Sequence, residues 1–252
     1  MSERDIEELA ALVQRSRRTV VFTGAGMSTE CGIPDFRSAS GFWTKHKPIQ
    51  FQEFLASEDI RREAWRRFFA ISDTIAVAAP GPGHRALARL VALGHVSHVI
   101  TQNIDGMHQN AGVPRQQIIE IHGNATYAAC LSCAERHELD WVRDRLDRLG
   151  AVPGCTACGG IVKSATVSFG QSMPEQAMAD ARAATLDADL FIAIGSSLQV
   201  FPAAGMPVLA TRNRTPLVIV NRQPTGLDGL AAIVINADIA TVLPRLVPGM
   251  SG

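Results

Sequence analysis

Neither sign of charge is in excess in this chain. Lys and Arg together number 24, Asp and Glu also 24, and the formal net charge is zero. A broad phosphate-neutralising face needs a clear basic excess, so the composition argues against nucleic acid as a partner. It argues against a polybasic membrane anchor for the same reason. Long unbroken apolar runs are lacking too. The longest uncharged stretch, Leu190 to Thr211, is interrupted by Gly195, Ser196, Ser197, Gln199, Pro202 and Pro207 and does not suit a membrane span. The opening residues MSERDIEELA are dense in charge and offer no apolar segment of a secretory signal. These absences lead us to expect a cytoplasmic protein. No internal repeat or low-complexity segment is seen. What remains is ordinary: 252 residues, 46% hydrophobic and 19% charged, enough to bury one large domain or two modest ones.

Secondary structure follows a simple rhythm. Ile6, Leu9, Ala10 and Val13 have helical spacing, in a helix expected to end near Arg17. Thr19 to Phe22 is a β-branched apolar run that enters Thr23-Gly24-Ala25-Gly26. Similar runs return at His98–Thr101, Leu190–Ile194, Leu217–Val220 and Ala232–Ile235. They are continuous rather than alternating, as strands covered on both faces should be. Helical patterns lie between them, notably His84–Leu93 and Pro174–Leu186. The fold class expected is α/β, a parallel sheet whose strand ends line a ligand crevice. Residues 38–80, which look helical, and 124–166, which hold four cysteines and no long apolar strand, interrupt the rhythm. We read both as insertions that form a smaller second domain.

Five cysteines in a cytoplasmic chain are metal ligands or free thiols rather than disulfides. Cys130-x2-Cys133 is followed after 21 residues by Cys155-x2-Cys158, and two such knuckles can set four thiolates around one zinc ion. Gly159-Gly160 allows backbone amides to turn toward the sulfurs. With four sulfurs and no open position the site is structural, not catalytic. A pair of redox-active motifs, or incidental thiols, is the alternative, and His137 could replace one cysteine.

Gly24-Ala25-Gly26 between a strand and a helix suits a phosphate at a helix N-terminus. The dinucleotide fingerprint lacks its third glycine, however, because Thr29 occupies that position. The acidic residue expected about 20 positions on is missing as well, where the chain reads Trp43-Thr44-Lys45. An ordinary hydride-transferring dehydrogenase is therefore disfavoured, and the turn alone could be structural. Downstream, Asp35, Phe36 and Arg37 lie side by side. Arg37 offers a fork for phosphate or carboxylate, and Phe36 can shield a reactive centre from water. A plain surface loop with an Arg–Asp pair is the bland reading.

Residues 24–38 resemble the first signature of the sirtuins, a family of NAD-dependent protein deacylases. The other signatures follow in order: Thr101-Gln102-Asn103-Ile104-Asp105-Gly106-Met107-His108, then Glu120-Ile121-His122-Gly123, then the cysteines. After them come Val167-Ser168-Phe169-Gly170-Gln171, Gly195-Ser196-Ser197-Leu198-Gln199-Val200-Phe201-Pro202-Ala203, and Val220-Asn221. The match spans about residues 8 to 247. The resemblance implies a Rossmann-like NAD-binding domain from residues 1–37, 81–123 and 167–252. It implies a small domain from the helical insertion 38–80 and the zinc module 124–166. NAD and acyl-lysine would enter the cleft between them from opposite sides.

By the same resemblance Gly24, Ala25, Gly26, Glu30, Asp35 and Arg37 would surround the phosphates and nicotinamide ribose. Phe36 would cover the ribose. Gln102, Asn103, Ile104 and Asp105 would hold the nicotinamide end. Gly195, Ser196, Ser197 and Asn221 would contact the adenosine half, with Asp238 or Ile239 near the adenine. Val167, Phe169, Gly170 and Val200 would line the substrate strand. His122 would be the general base, a role its ordinary pKa of ~6.5 suits, with Asn103 beside it in catalysis. The implied reaction turns acyl-lysine and NAD into free lysine, nicotinamide and O-acyl-ADP-ribose, with acylated protein lysines as partners and one structural zinc remote from the chemistry. Mono-ADP-ribosyl transfer to protein, and a non-catalytic NAD-sensing or zinc-ribbon interaction module, are the alternatives. The sequence assigns no oligomeric state.

Some residues depart from the family pattern. Lys163-Ser164 stands where Arg-Pro is frequent, Gln171 where Glu is frequent, and Gly81-Pro82-Gly83-His84 varies the usual turn before its helix. Cys31 replaces a small residue and reads as a packed thiol, and His108 is assigned no catalysis. Family members that remove succinyl groups carry Tyr-x-x-Arg. The single tyrosine here, Tyr127, has Cys130 three residues on, so that pair does not exist. Trp65 and Phe68 stand near its expected place and imply an apolar acyl pocket, with Arg66 and Arg67 solvated.

Overall fold

The computed structural model describes residues 3–35 and 47–249. Six parallel strands form the main sheet in the order β3-β2-β1-β7-β8-β9. They are β1 Thr19–Thr23, β2 Val96–Thr101, β3 Ile118–Glu120, β7 Leu190–Ile194, β8 Leu217–Val220 and β9 Ile233–Ile235. Every residue of β1, β7 and β8 is buried. Their side chains divide by parity, as the strand period of two requires. Val21, Ile192, Ile194, Val218 and Val220 join one apolar cluster, which includes Ile6, Leu9 and Val13 of α1 (Glu3–Arg15). Leu87, Leu90 and Val91 of α4 (Pro82–Ala92) belong to the same cluster. Val20, Phe22, Phe191, Ala193 and Ile219 join the opposite one, with Ala181 of α7 (Glu175–Asp187) and Met206 and Ala210 of α8 (Gly205–Arg212). Continuous apolar strands with helices on both faces make this a Rossmann-like sheet.

The chain starts at β1 in the middle, builds outward through β2 and β3, then returns to β7 on the other side of β1. The C-terminal ends of β1 and β7 therefore diverge into loops that leave in opposite directions. Such a switch point opens a crevice.

A second, antiparallel sheet has the order β5-β4-β6, with β4 Gly123–Cys130, β5 Arg136–His137 and β6 Val162–Thr166. β4 is long but not an apolar run, which is why the sequence of 124–166 shows no long apolar strand. Five of its eight residues, Gly123, Asn124, Ala125, Ala128 and Ala129, are weak strand formers on their own, and pairing with β6 holds them extended. α3 (Glu58–Val77) and α6 (Leu139–Leu149) pack on this sheet, and α2 (Phe51–Ala56) packs on α3. Ser57 caps α3 by accepting a bond from the Ile60 amide. Trp65 and Phe69 of α3 pack with Ala128, Cys130, Val142, Leu146, Cys155 and Val162 in a core of their own. Ile33, Ile75, Met107 and Ala125 form a fourth cluster between the two parts. Short helices α5 (Met107–Asn110) and α9 (Ile239–Val242) follow β2 and β9. The first helix ends at Arg15, two residues before the expected end.

Candidate functional site

The floor of the crevice is made by two turns that meet backbone to backbone. Gly24 donates its amide to Ile194 O at 3.0 Å and Gly26 donates to Gly195 O at 2.8 Å. A Cβ on Gly24 would stand 2.8 Å from Gly195 O, and one on Gly26 2.9 Å from Gly195 Cα. Gly195 itself sits at φ +61°, where a Cβ would come within 2.5 Å of the Met27 amide nitrogen. The Gly-x-Gly spacing is thus required by the opposing turn, and it also leaves a bare backbone cradle at the end of β1.

A polar network closes one end of this cradle. Asn103 donates through Nδ2 to Gly24 O at 3.0 Å and to Ser28 Oγ at 3.1 Å. Ser28 in turn donates to Asp105 Oδ2 at 2.6 Å, and the Met107 amide donates to Oδ1 at 2.9 Å. Asn103, Asp105 and Ser28 are all buried. Burial pushes the Asp105 carboxyl up, against the pull of the Ser28 and Met107 bonds. With its amide hydrogens committed, Asn103 offers the cleft its carbonyl oxygen. Ser28 escaped the sequence reading, because no spacing distinguishes it from any serine in a glycine-rich loop.

Gln102 ties this network to the histidine. It donates through Nε2 to Ser196 Oγ at 2.8 Å, and its backbone amide donates to Thr23 O at 3.0 Å. Its own carbonyl lies 2.9 Å from His122 Nδ1. A carbonyl can only accept, so His122 carries hydrogen on Nδ1, and its neutral form keeps the lone pair on Nε2.

His122 stands in the wall of a cavity of about 430 Å³, together with Gln102, Asn103 and Ile104. Val167, Phe169, Gly170 and Val200 line it as well, so the expected substrate residues and the histidine share one cavity. Val167 donates its amide to His122 O at 2.9 Å, and Phe51 donates to Phe169 O at 2.8 Å. Trp65, Phe68 and Ile71 supply an apolar wall from successive turns of α3. Two cations also line it, and the first departs from expectation. Arg66 is exposed, but Arg67 is half-buried and held by Glu63 Oε1 at 2.7 Å and Lys47 O at 2.9 Å. Lys163 is buried, and its Nζ donates to the carbonyls of Ser164 and Thr166. Burial pushes its pKa down to about 8.

The outer residues are more dispersed. Glu30 Oε1 accepts from the Gly83 amide at 2.9 Å, so it caps α4, whose N-cap, Gly81, has no side chain. Burial pushes the Glu30 carboxyl up. Ser197 and Asp35 are half-buried beside these turns, Ala25 lies in the first of them, and Ile239 packs against Gly195. Asn221 donates to Gln223 O at 2.7 Å. Asp238 caps α9 through the Ala240 amide at 3.1 Å and pairs with Arg222 at 2.9 Å. Phe36 and Arg37 lie outside the described residues.

The four knuckle cysteines converge away from this cavity. The Sγ of Cys130 and Cys158 are 3.5 Å apart, those of Cys133 and Cys155 3.6 Å, and those of Cys158 and Cys133 3.4 Å. Four thiolates around zinc at ~2.3 Å would stand about 3.8 Å from one another, close to this arrangement. Amides of Ser132 and Ala157 donate to Cys130 and Cys155 sulfurs. The donor set fits a closed zinc site. His137 stacks on Trp141 at 4.7 Å and is not among its donors.

Comparison with known proteins agrees with this geometry. The Sir2 family pattern matches residues 24–202. An NAD-dependent protein deacetylase 1 of Bradyrhizobium diazoefficiens is 53% identical over 238 residues, 94% of this chain and 93% of its own length. An NAD-dependent protein deacetylase of Rhodopseudomonas palustris is 54% identical, covering 94% of each chain. Among solved structures, a Sir2 variant with deacetylated p53 peptide and 3′-O-acetyl ADP ribose superposes with a TM-score of 0.89. It is 34% identical, over 98% of this chain and 99% of that one. A Sir2 complex with p53 peptide and NAD⁺ gives 0.85 at 35% identity, covering 96% of each.

Proposed function

The chain belongs to the Sir2 family, and we propose that it removes acetyl and other neutral acyl groups from protein lysines in an NAD-dependent reaction. The products are nicotinamide, O-acyl-ADP-ribose and free lysine. NAD, when bound, supplies an electrophilic ribose carbon and the hydroxyl that takes the acyl group. The observation that carries the reading is His122. Its Nδ1 is held by the Gln102 carbonyl, its Nε2 carries the lone pair, and it lines one cavity with both the Asn103 end and the 167–170 segment.

His122 Nε2 accepts the ribose hydroxyl proton as general base. Asn103 and Asp105, with Gln102 and Ile104, orient the nicotinamide end. Gly24, Ala25 and Gly26, with Glu30 and Asp35, face the phosphates; by the family resemblance Arg37 would join them and Phe36 would keep water from the reacting carbon. Gly195, Ser196, Ser197 and Asn221 hold the adenosine half, beside Asp238 and Ile239. Val167, Phe169, Gly170 and Val200 align the acyl-lysine chain. Cys130, Cys133, Cys155 and Cys158 hold one structural zinc ion.

The division into an NAD-binding domain (1–37, 81–123, 167–252) and a small domain (38–80, 124–166) draws support from the cores. The clusters flanking the parallel sheet contain only residues of the first set, and the Trp65 cluster only residues of the second. No described helix is long and apolar enough to cross a membrane. We place the protein in the cytoplasm because its described cysteines, one thiol and four metal ligands, suit a reducing compartment. Zero net charge argues against nucleic acid as a partner.

The test is incubation with NAD and one peptide carrying acetyl-lysine, with mass spectrometry of peptide and protein. Loss of the acetyl group in step with nicotinamide release is expected. ADP-ribosylated protein without peptide deacetylation would replace the reading with its rival.

A further inference from the structure

A second group of metal-ligating side chains lies at the rim of the crevice. Cys31 and Glu30 belong to the short turn Thr29–Cys31, and His84 stands in the first turn of α4. Cys31 Sγ and His84 Nδ1 are 3.6 Å apart, and a Glu30 carboxylate oxygen brings all three donor atoms within 4.8 Å of one another. Zinc bonds of ~2.3 Å to sulfur and ~2.0–2.1 Å to nitrogen, at a tetrahedral angle, set sulfur and nitrogen about 3.5 Å apart.

Each donor is prepared for the role. The Gly83 amide donates to Glu30 Oε1 at 2.9 Å, so the entrance of α4 orients the carboxylate beside the Cys31 sulfur. His84 is fully buried. Its Nε2 is enclosed without a hydrogen-bond partner among the described residues, which leaves Nδ1 as the nitrogen that meets other donors. Among the described residues Glu30, Asp105 and Asp238 act on these groups from the surrounding elements, and the cation Arg85 opposes them. That described balance is negative and favours a divalent cation.

We propose that Glu30, Cys31 and His84 form a second metal site, distinct from the four-cysteine cluster, that takes a thiophilic divalent cation such as Zn²⁺ and thereby opposes cofactor binding. On binding, the Cys31 thiol gives its proton to solvent and its sulfur bonds the metal. The fourth position stays open to water. The inhibitory half rests on the cofactor reading, because Glu30 is shared between the two. The metal-binding half does not.

The experiment titrates Co²⁺ into zinc-loaded protein and reads the thiolate-to-cobalt absorption. A band that saturates at one equivalent is expected in the native protein. It should vanish in Cys31→Ser and need at least tenfold more Co²⁺ in Glu30→Gln, which keeps an acceptor for the Gly83 amide. No band, or the same band in Cys31→Ser from exchange into the four-cysteine cluster, overturns the site. Zn²⁺ is then expected to raise KM for NAD at least fivefold in the native enzyme and to leave it unchanged in Cys31→Ser. A native KM indifferent to Zn²⁺ overturns the inhibitory role. The absorption reads the site even in protein without deacylase activity, so failure of the catalytic reading is distinguishable.

Discussion

Substituting alanine at Gly195 and at Gly94 separates two costs that one glycine can carry. Both residues adopt left-handed backbone, with φ +61° and +78°. Alanine in that region costs ~1–2 kcal/mol, partly offset by ~0.4–1 kcal/mol from a less flexible unfolded chain. At Gly94, in the turn between α4 and β2, a Cβ meets nothing within 4 Å. Gly94→Ala should therefore lose ~1 kcal/mol, a fall in Tm of about 2–4 °C for a chain of this size. At Gly195 the Cβ would meet Met27 N at 2.5 Å and Gly26 C at 2.8 Å, both main-chain atoms that cannot rotate away. Overpacking of this kind adds ~1–3 kcal/mol. Gly195→Ala should lose about 2–4 kcal/mol in all, at least twice the fall in Tm.

The second consequence is specific to the site. Relief of the clash must push the 24–28 turn away from 195–196, and Ser28 moves with it. Ser28 holds both Asn103 and Asp105, so the nicotinamide end loses its alignment. A misplacement of about 1 Å near reacting groups can cost ~10²-fold. kcat/KM for NAD should therefore fall at least ~10-fold in Gly195→Ala and stay within about twofold in Gly94→Ala. Thermal unfolding and initial rates on one acetylated peptide measure both. Equal losses of Tm and unchanged kinetics in the two variants would refute the argument that the opposing turns require these glycines.

Four further outcomes are expected. His122→Ala should lower deacylation by ~10²–10⁴-fold while retaining the thermal transition, and near-normal turnover would remove the general-base assignment. Cys155→Ala, or chelation of the native protein, should lower Tm and release one zinc per chain by metal analysis, because metal binding is folding energy at such a site. On one peptide, kcat/KM for acetyl-lysine should exceed that for succinyl-lysine by at least ~10-fold, since the wall of Trp65, Phe68 and Ile71 carries no charge and its one N–H, Trp65 Nε1, is buried, Arg67 is tied to Glu63, and Lys163 is turned to its own strand; faster desuccinylation would overturn this. Lys163 releases its proton near pH 8 when folded but near 10.5 when unfolded, so native stability relative to Lys163→Met should rise from pH 8 toward 10.5, by up to about 3 kcal/mol; a flat difference would contradict it.

Much of this molecule is legible residue by residue, and the limits are physical. The runs in β1, β7 and β8 can be read as strands because burial on both faces writes itself into every position. β4 cannot, because Gly123-Asn124-Ala125 and Ala128-Ala129 are poor strand formers held by partners distant in sequence. The cysteine knuckles are legible because each pair is local chemistry. Glu30 is half legible: its family place is in the cofactor cleft, yet the missing cap at Gly81 gives it a second task at the entrance of α4, which no pattern near residue 30 records.

The convergence of the site has a simpler origin than its individual contacts. Gly24, Gln102, His122, Gly195 and Asn221 each follow the C-terminal end of a parallel strand, β1, β2, β3, β7 and β8 in turn. Strands that run the same way in one sheet must deliver the residues after them to one edge. Five motifs spread over about 200 positions therefore meet without any motif specifying another. What topology leaves undetermined is the fine pairing: which carbonyl receives His122 Nδ1, and which hydroxyl stands between Asn103 and Asp105. Those contacts fix a tautomer and a carboxylate, and they depend on the 2.8–3.0 Å hydrogen bonds that join two glycine turns far apart in the chain. Chemistry in this cleft is thus placed by sheet order and tuned by backbone proximity, which is why a single Cβ at Gly195 is expected to disturb residues it never touches.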